Sequence, residues 1–236
     1  MRSVLYISLL PVILLLLYVY KKDYDKEPRE MLTRIFILGA LTPIVALFLE
    51  ETLDVYFNTD KIKDFVTILI YTFFGIGLPE ELCKWAVTYA TAYDDKEFNH
   101  KYDEIVYCVF ASLGFAAIEN ILYVLASGYG AGIIRALTAV PSHACNAIIM
   151  GYFLGNAKEK DYQGKKGSAF IYKALSLIIP SIVHSLYDGL IEYSSNTNNS
   201  YIMLIFLIYV IITYIICFKI IKKTSSIKTN IDGTYM

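Results

Sequence analysis

The chain has 236 residues, 56% of them hydrophobic and only 18% charged, with a mean hydropathy of +0.50. That composition describes an integral membrane protein, and no polar block is long enough for a soluble domain. A net charge of −1, from 21 basic and 22 acidic residues, gives no reason to expect a nucleic-acid partner.

Taken in order, residues 3–20 form the first apolar run. Large residues and Lys21-Lys22 stand where a small-residue cleavage site would be, so the run reads as a retained span. Further spans are expected at 31–49, 65–93, 105–126, 132–155, 169–191 and 201–218, most of them near the ~20 residues a helix needs to cross a bilayer. The expected fold is therefore all-α, a single polytopic bundle of about seven transmembrane helices. The third span contains Gly75-Ile76-Gly77-Leu78-Pro79, which predicts a break near Pro79, because proline removes a backbone hydrogen bond and frees carbonyls. Pro141 and Pro180 predict kinks in the fifth and sixth spans. Cys83, Cys108, Cys145 and Cys217 lie in apolar segments without CxxC spacing and read as reduced, buried small hydrophobes.

Alternating the spans places Lys21, Lys22, Lys26 and Arg29, then Lys96 and Lys101, then Lys158, Lys160, Lys165 and Lys166, and the C-terminal lysines on one face. Arg2, Lys61 and Lys63 fall on the other. The positive-inside rule then puts the N-terminus outside and the C-terminus in the cytoplasm.

Charges inside apolar runs need a reason, because each costs at least a few kcal/mol there, ~2.5 on the lowest scales. Glu80, Glu81 and Lys84 follow Pro79, and helical spacing lets either glutamate pair with the lysine. Glu119 and Asn120 lie in the fourth span, His143 and Asn146 in the fifth, and His184 and Asp188 in the sixth. At ~1.5 Å per residue, Glu119, His143 and His184 come within about 6 Å of one another in depth. Asp188, one turn after His184, is placed to orient its imidazole. Asn120 and Asn146 read as structural links or substrate-orienting amides, and His100 as a solvated loop residue.

Acid or imidazole from four spans at similar depth points to chemistry, since an apolar bundle would pack more stably without them. A carboxylate, two imidazoles and water can hydrolyse a peptide bond in two ways. A metal can activate the water and polarise the carbonyl. Alternatively, Glu80 or Glu81 acts as general base while a histidine stabilises the oxyanion. A proton-coupled transporter or channel also uses midplane acids and histidines, but the chain shows no internal repeat.

The blocks Pro79-Glu80-Glu81-Leu82-Cys83-Lys84, Gly114-Phe115-Ala116-Ala117-Ile118-Glu119-Asn120, Arg135 through His143, and Pro180 through Asp188 resemble the PrsW family of intramembrane proteases. The stretch Asp23-Tyr24-Asp25-Lys26-Glu27-Pro28 is similar to that family's cytoplasmic signature, and the paired glutamates are more distantly similar to the CAAX prenyl proteases. The resemblance implies a bacterial cell-membrane endopeptidase making the first cut in a single-span anti-sigma factor, with prenylated peptides as an alternative substrate. It further implies that Glu80 and Glu81 activate water, with Lys84 fixing one of them. Glu119, His143 and His184 would hold a divalent metal such as zinc, or the oxyanion, and Asp188 would orient His184. The depth of these residues leads to the expectation that a substrate is cut on the outer side of its membrane segment.

Overall fold

The computed structural model describes residues 2–54, 64–227, 230, 231 and 233, and every regular element among them is helical. The first helices are α1 (Arg2–Lys22), α2 (Arg29–Leu41), α3 (Pro43–Asp54) and α4 (Phe65–Tyr71). A π-helical stretch, Thr72–Gly77, joins α4 to α5 (Leu78–Thr91). The remainder is α6 (Lys101–Leu137), α7 (Ala139–Tyr162), α8 (Lys166–Thr197) and α9 (Ser200–Thr224). Among the described residues, six helical runs are long and apolar enough to cross a membrane. One of them, Lys101–Tyr162, has 62 residues. At ~1.5 Å per residue a straight helix of that length would be about three times the ~30 Å hydrocarbon thickness. It is folded back on itself as α6 and α7, which agrees with about seven crossings.

One break differs from the sequence expectation. The second span divides at Thr42, where Pro43 starts a new helix with its missing N–H in a first turn that has no use for it. The fourth span ends near Ala126 as expected: α6 is interrupted at Gly128, whose φ of 82° glycine adopts without steric cost, and the chain folds back there, bringing Gly132 against Val124 and Arg135 onto Asn120. The returning segment beyond Gly128 leads through a second irregular residue, Thr138, into α7. Pro141 lies in the first turn of α7, just past Thr138, where the returning helix is interrupted, and Pro180 is inside α8 as expected. The break in the third span is the π-helical stretch, and Pro79 stands in the first turn of α5 beyond it.

Close approaches of small residues fix the packing around α6. A Cβ at Gly39 of α2 would lie 2.1 Å from the Ala111 carbonyl oxygen, and one at Gly114 would lie 2.2 Å from that of Phe36. A Cβ at Gly151 of α7 would meet Ile105 backbone at 2.6 Å. Such contacts bring helix axes together where burial from water supplies no driving force. Gly151 opposite Ile105, and Ser112 Oγ donating to the His143 carbonyl at 2.9 Å, show that α6 and α7 run antiparallel. On the far side, apolar side chains of α9 such as Leu204, Ile211 and Phe218 are exposed, a surface suited to lipid tails.

At the end of the bundle where α5 turns into α6, the segment between α1 and α2 is tied down by its acids. Glu27 is buried and accepts a hydrogen bond from Tyr107 of α6; burial pushes its carboxyl up to about 8. Nearby, His100 is not solvated but buried. It caps α6, its backbone N–H donating to Asp103 Oδ2 at 2.6 Å, because the four leading N–H groups of a buried helix need partners. All four cysteines are free and buried.

Candidate active site

The π-helical stretch widens the helix just ahead of Pro79 and aims the first turn of α5 into the bundle. Gly77 makes room for this: a Cβ there would lie 2.9 Å from the Ser181 carbonyl oxygen of α8. Thr72 Oγ1 donates to the Ser185 carbonyl at 3.0 Å and holds the same two elements together. The turn so placed carries Glu80, Glu81 and Lys84, all buried, with Glu81 and Lys84 at 0% exposure.

Lys84 joins the paired glutamates to α7. Its Nζ lies 2.9 Å from Glu80 Oε2, 2.9 Å from Glu81 Oε1 and 3.2 Å from His143 Nδ1. An ammonium group offers only donors, so His143 Nδ1 accepts and its Nε2 carries the proton. That Nε2 donates to Glu119 Oε2 at 2.7 Å, and Glu119 Oε1 is paired with Arg135 Nη2 at 2.7 Å. Arg135 also donates from Nε to Asn120 Oδ1 at 3.3 Å and stacks over the Tyr123 ring. The result is a continuous polar chain from α5 through α7 to α6, with the Lys84 ammonium 4.2 Å from the Phe115 ring centroid.

His184 of α8 closes the arrangement. Its Nδ1 is 2.9 Å from Glu81 Oε1, and its Nε2 is 3.2 Å from Asp188 Oδ2 and 3.8 Å from Glu80 Oε2. Both ring nitrogens thus face carboxylates, which locks the imidazole plane. The rings of His143 and His184 meet edge to face with centroids 5.4 Å apart.

A cavity of about 310 Å³ opens onto this group from the end of the bundle where α6 turns into α7. Glu80, Glu119, His143, Asn146, His184 and Asp188 all line it; Glu81 and Lys84 lie behind that wall. The two glutamates are therefore inequivalent: Glu80 faces the space a substrate would enter, whereas Glu81 is sealed between Lys84 and His184.

Glu80, Glu81, His143 and His184 can each present one ligand atom such that all four lie within 4.8 Å of one another. Two carboxylates and two imidazoles are a donor set suited to zinc, and Glu81 Oε2 is buried with no hydrogen-bond partner among the described residues. These residues fit a divalent ion. Glu119 is outside the group and sits behind His143, paired with Arg135.

Every site residue expected from the sequence is thus in or against one cavity, Asn120 through Arg135. Two further residues belong to it. Arg135 holds Glu119, and the signal for it was a positive charge inside an apolar run. Glu50 of α3 also lines the cavity; standing at the boundary of a span, it gave no sign of facing inward.

The pattern described as the PrsW family intramembrane metalloprotease matches residues 27–216. A protein named Protease PrsW from Oceanobacillus iheyensis is 39% identical over 198 residues, spanning 84% of this chain and 87% of its own. Its namesake from Bacillus subtilis is 35% identical over 210 residues, spanning 89% and 91%. A third, from Clostridioides difficile, is 29% identical over 215 residues, spanning 88% and 85%. No solved structure matches the chain.

Proposed function

The chain belongs to the PrsW family of intramembrane proteases, and we propose that it hydrolyses a peptide bond of a single-span membrane protein in the cavity above Glu80. The observation that carries this reading is the inequivalence of the paired glutamates, one facing the cavity and one locked behind it. The family likeness suggests an anti-sigma factor as the substrate.

In this reading Glu80 is the general base. It takes a proton from a water molecule as the water oxygen attacks the carbonyl carbon, and returns that proton to the departing amide nitrogen as the C–N bond breaks. Glu81, held at 2.9 Å by both Lys84 and His184, fixes the His184 imidazole, whose Nε2–H would turn from Asp188 toward the developing oxyanion. Asp188 sets the other ring nitrogen, and Glu119 with Arg135 fixes the His143 ring. A divalent ion such as zinc would be held by His143 Nδ1, in place of its hydrogen bond from Lys84, together with His184 and Glu81, and would supply Lewis-acid polarisation of the carbonyl. Cleavage of a single-span peptide by the purified protein in detergent, with and without chelator, tests both parts. Loss of cleavage on chelation and its return with zinc identifies a metalloenzyme; full activity in chelator identifies the glutamate mechanism; and an uncut peptide refutes the proteolytic reading.

We place the cavity mouth outside the cell, because the lysines gather at the opposite end of the bundle. A substrate helix must unwind to expose a carbonyl, which is easiest near the membrane boundary. The cut is therefore expected on the outer side of the substrate's segment, and the N-terminal sequence of the released downstream fragment reads it directly. Reporter fusions are expected to place the turn between α7 and α8 in the cytoplasm and Asn198 outside. The reverse pattern would invert the assignment.

A further inference from the structure

Two asparagines are fully buried near the site, and they differ in one respect. Asn120 of α6 accepts from Arg135 and so has a structural use for its carbonyl oxygen. Asn146, one turn beyond His143 on α7, is only 1% exposed and lines the cavity, yet its Oδ1 has no hydrogen-bond partner among the described residues. A buried amide left unpaired is costly, and its neighbours Cys145, Ala147 and Ile148 show that this stretch of α7 otherwise packs with small or apolar groups. An unpaired acceptor just behind a cavity wall is satisfied when its side chain turns to meet a donor that enters the cavity. The donors a substrate brings are backbone N–H groups, freed when its helix unwinds for cleavage and otherwise unpaired in an apolar surrounding.

We propose that Asn146 binds the unwound substrate backbone beside the scissile bond, its Oδ1 accepting a peptide N–H. This rests on the proteolytic reading above and adds a residue that positions the peptide rather than one that transfers a proton. It also gives the cavity a way to hold an extended strand without recognising any particular side chain. An apolar residue at this position would leave the fold intact and the strand loosely held.

The test uses full-length protein in detergent and a set of single-span peptides in which one non-scissile amide near the cut is replaced by an ester, deleting its N–H. For the wild type, one ester position is expected to lower kcat/KM about tenfold to a hundredfold, the size of one buried hydrogen bond. Asn146→Leu is expected to lose about the same factor on the all-amide peptide, to be indifferent to that ester, and to melt no lower than the wild type. Asn146→Ala provides the same comparison should leucine prove too large for the site. Equal ester sensitivity in wild type and variant, or an undiminished kcat/KM in the variant, overturns the proposal while leaving the protease reading standing. A fall in melting temperature that accounts for the lost activity overturns it too, by making Asn146 a packing residue. A wild type that cuts none of the peptides overturns the proteolytic reading and this proposal with it.

Discussion

Replacing Glu80 by glutamine is expected to reduce cleavage about 10²- to 10⁴-fold, the usual contribution of a positioned general base, with KM little changed. The substitution keeps the side chain's shape and leaves Lys84 its second carboxylate, Glu81, at 2.9 Å. The variant should therefore insert and fold as the wild type does, so that lost turnover reports chemistry. Glu81→Gln should also impair cleavage, but through His184, which would lose a carboxylate partner at Nδ1. The two variants separate in their kinetics on one peptide. A Glu80→Gln enzyme that retains most of its turnover while Glu81→Gln is inactive would exchange the roles assigned to the pair.

The largest effect on stability is expected from Lys84→Met. The ammonium is 0% exposed and touches Glu80, Glu81 and His143. Methionine keeps most of the volume but leaves two neighbouring carboxylates buried without their shared cation. Breaking a buried ion pair from one side costs about 3–5 kcal/mol, a large part of a typical folding free energy of about 5–15 kcal/mol. Thermal unfolding in detergent should show a pronounced loss. Adding Glu81→Gln to Lys84→Met removes one of the stranded charges and should restore part of that stability without restoring cleavage. Single and double variants that melt with the wild type would show that the ion group contributes nothing to the fold.

The crossings were legible because a bilayer demands length: apolar runs such as 201–218 are near ~20 residues whatever they pack against. Their internal breaks were legible only in part. The division at Thr42-Pro43 lies within an unbroken apolar run, whereas the reversal at Gly128 falls in Ser127-Gly128-Tyr129-Gly130, which reads as a connection. The candidate site was legible for the same reason in reverse, since Glu80, Glu119, His143 and His184 are expensive in apolar surroundings and need partners. What spacing along a helix gives is a partner on that helix, as with Lys84 and the two glutamates. The partners across helices depend on how each helix is rotated. Arg135 on Glu119, Lys84 on His143 and the inward turn of Glu50 became visible only once the glycine contacts had set those rotations.

In the proposed mechanism water is added to a substrate peptide bond at Glu80. That step is tested most directly by mass spectrometry of a single-span peptide incubated in detergent with purified wild-type protein and, in parallel, with Glu80→Gln. The wild type is expected to yield two fragments whose masses sum to the peptide plus one water, and the variant to leave the peptide intact. An uncut peptide with the wild type, or the same two fragments in equal yield from the variant, would contradict the mechanism.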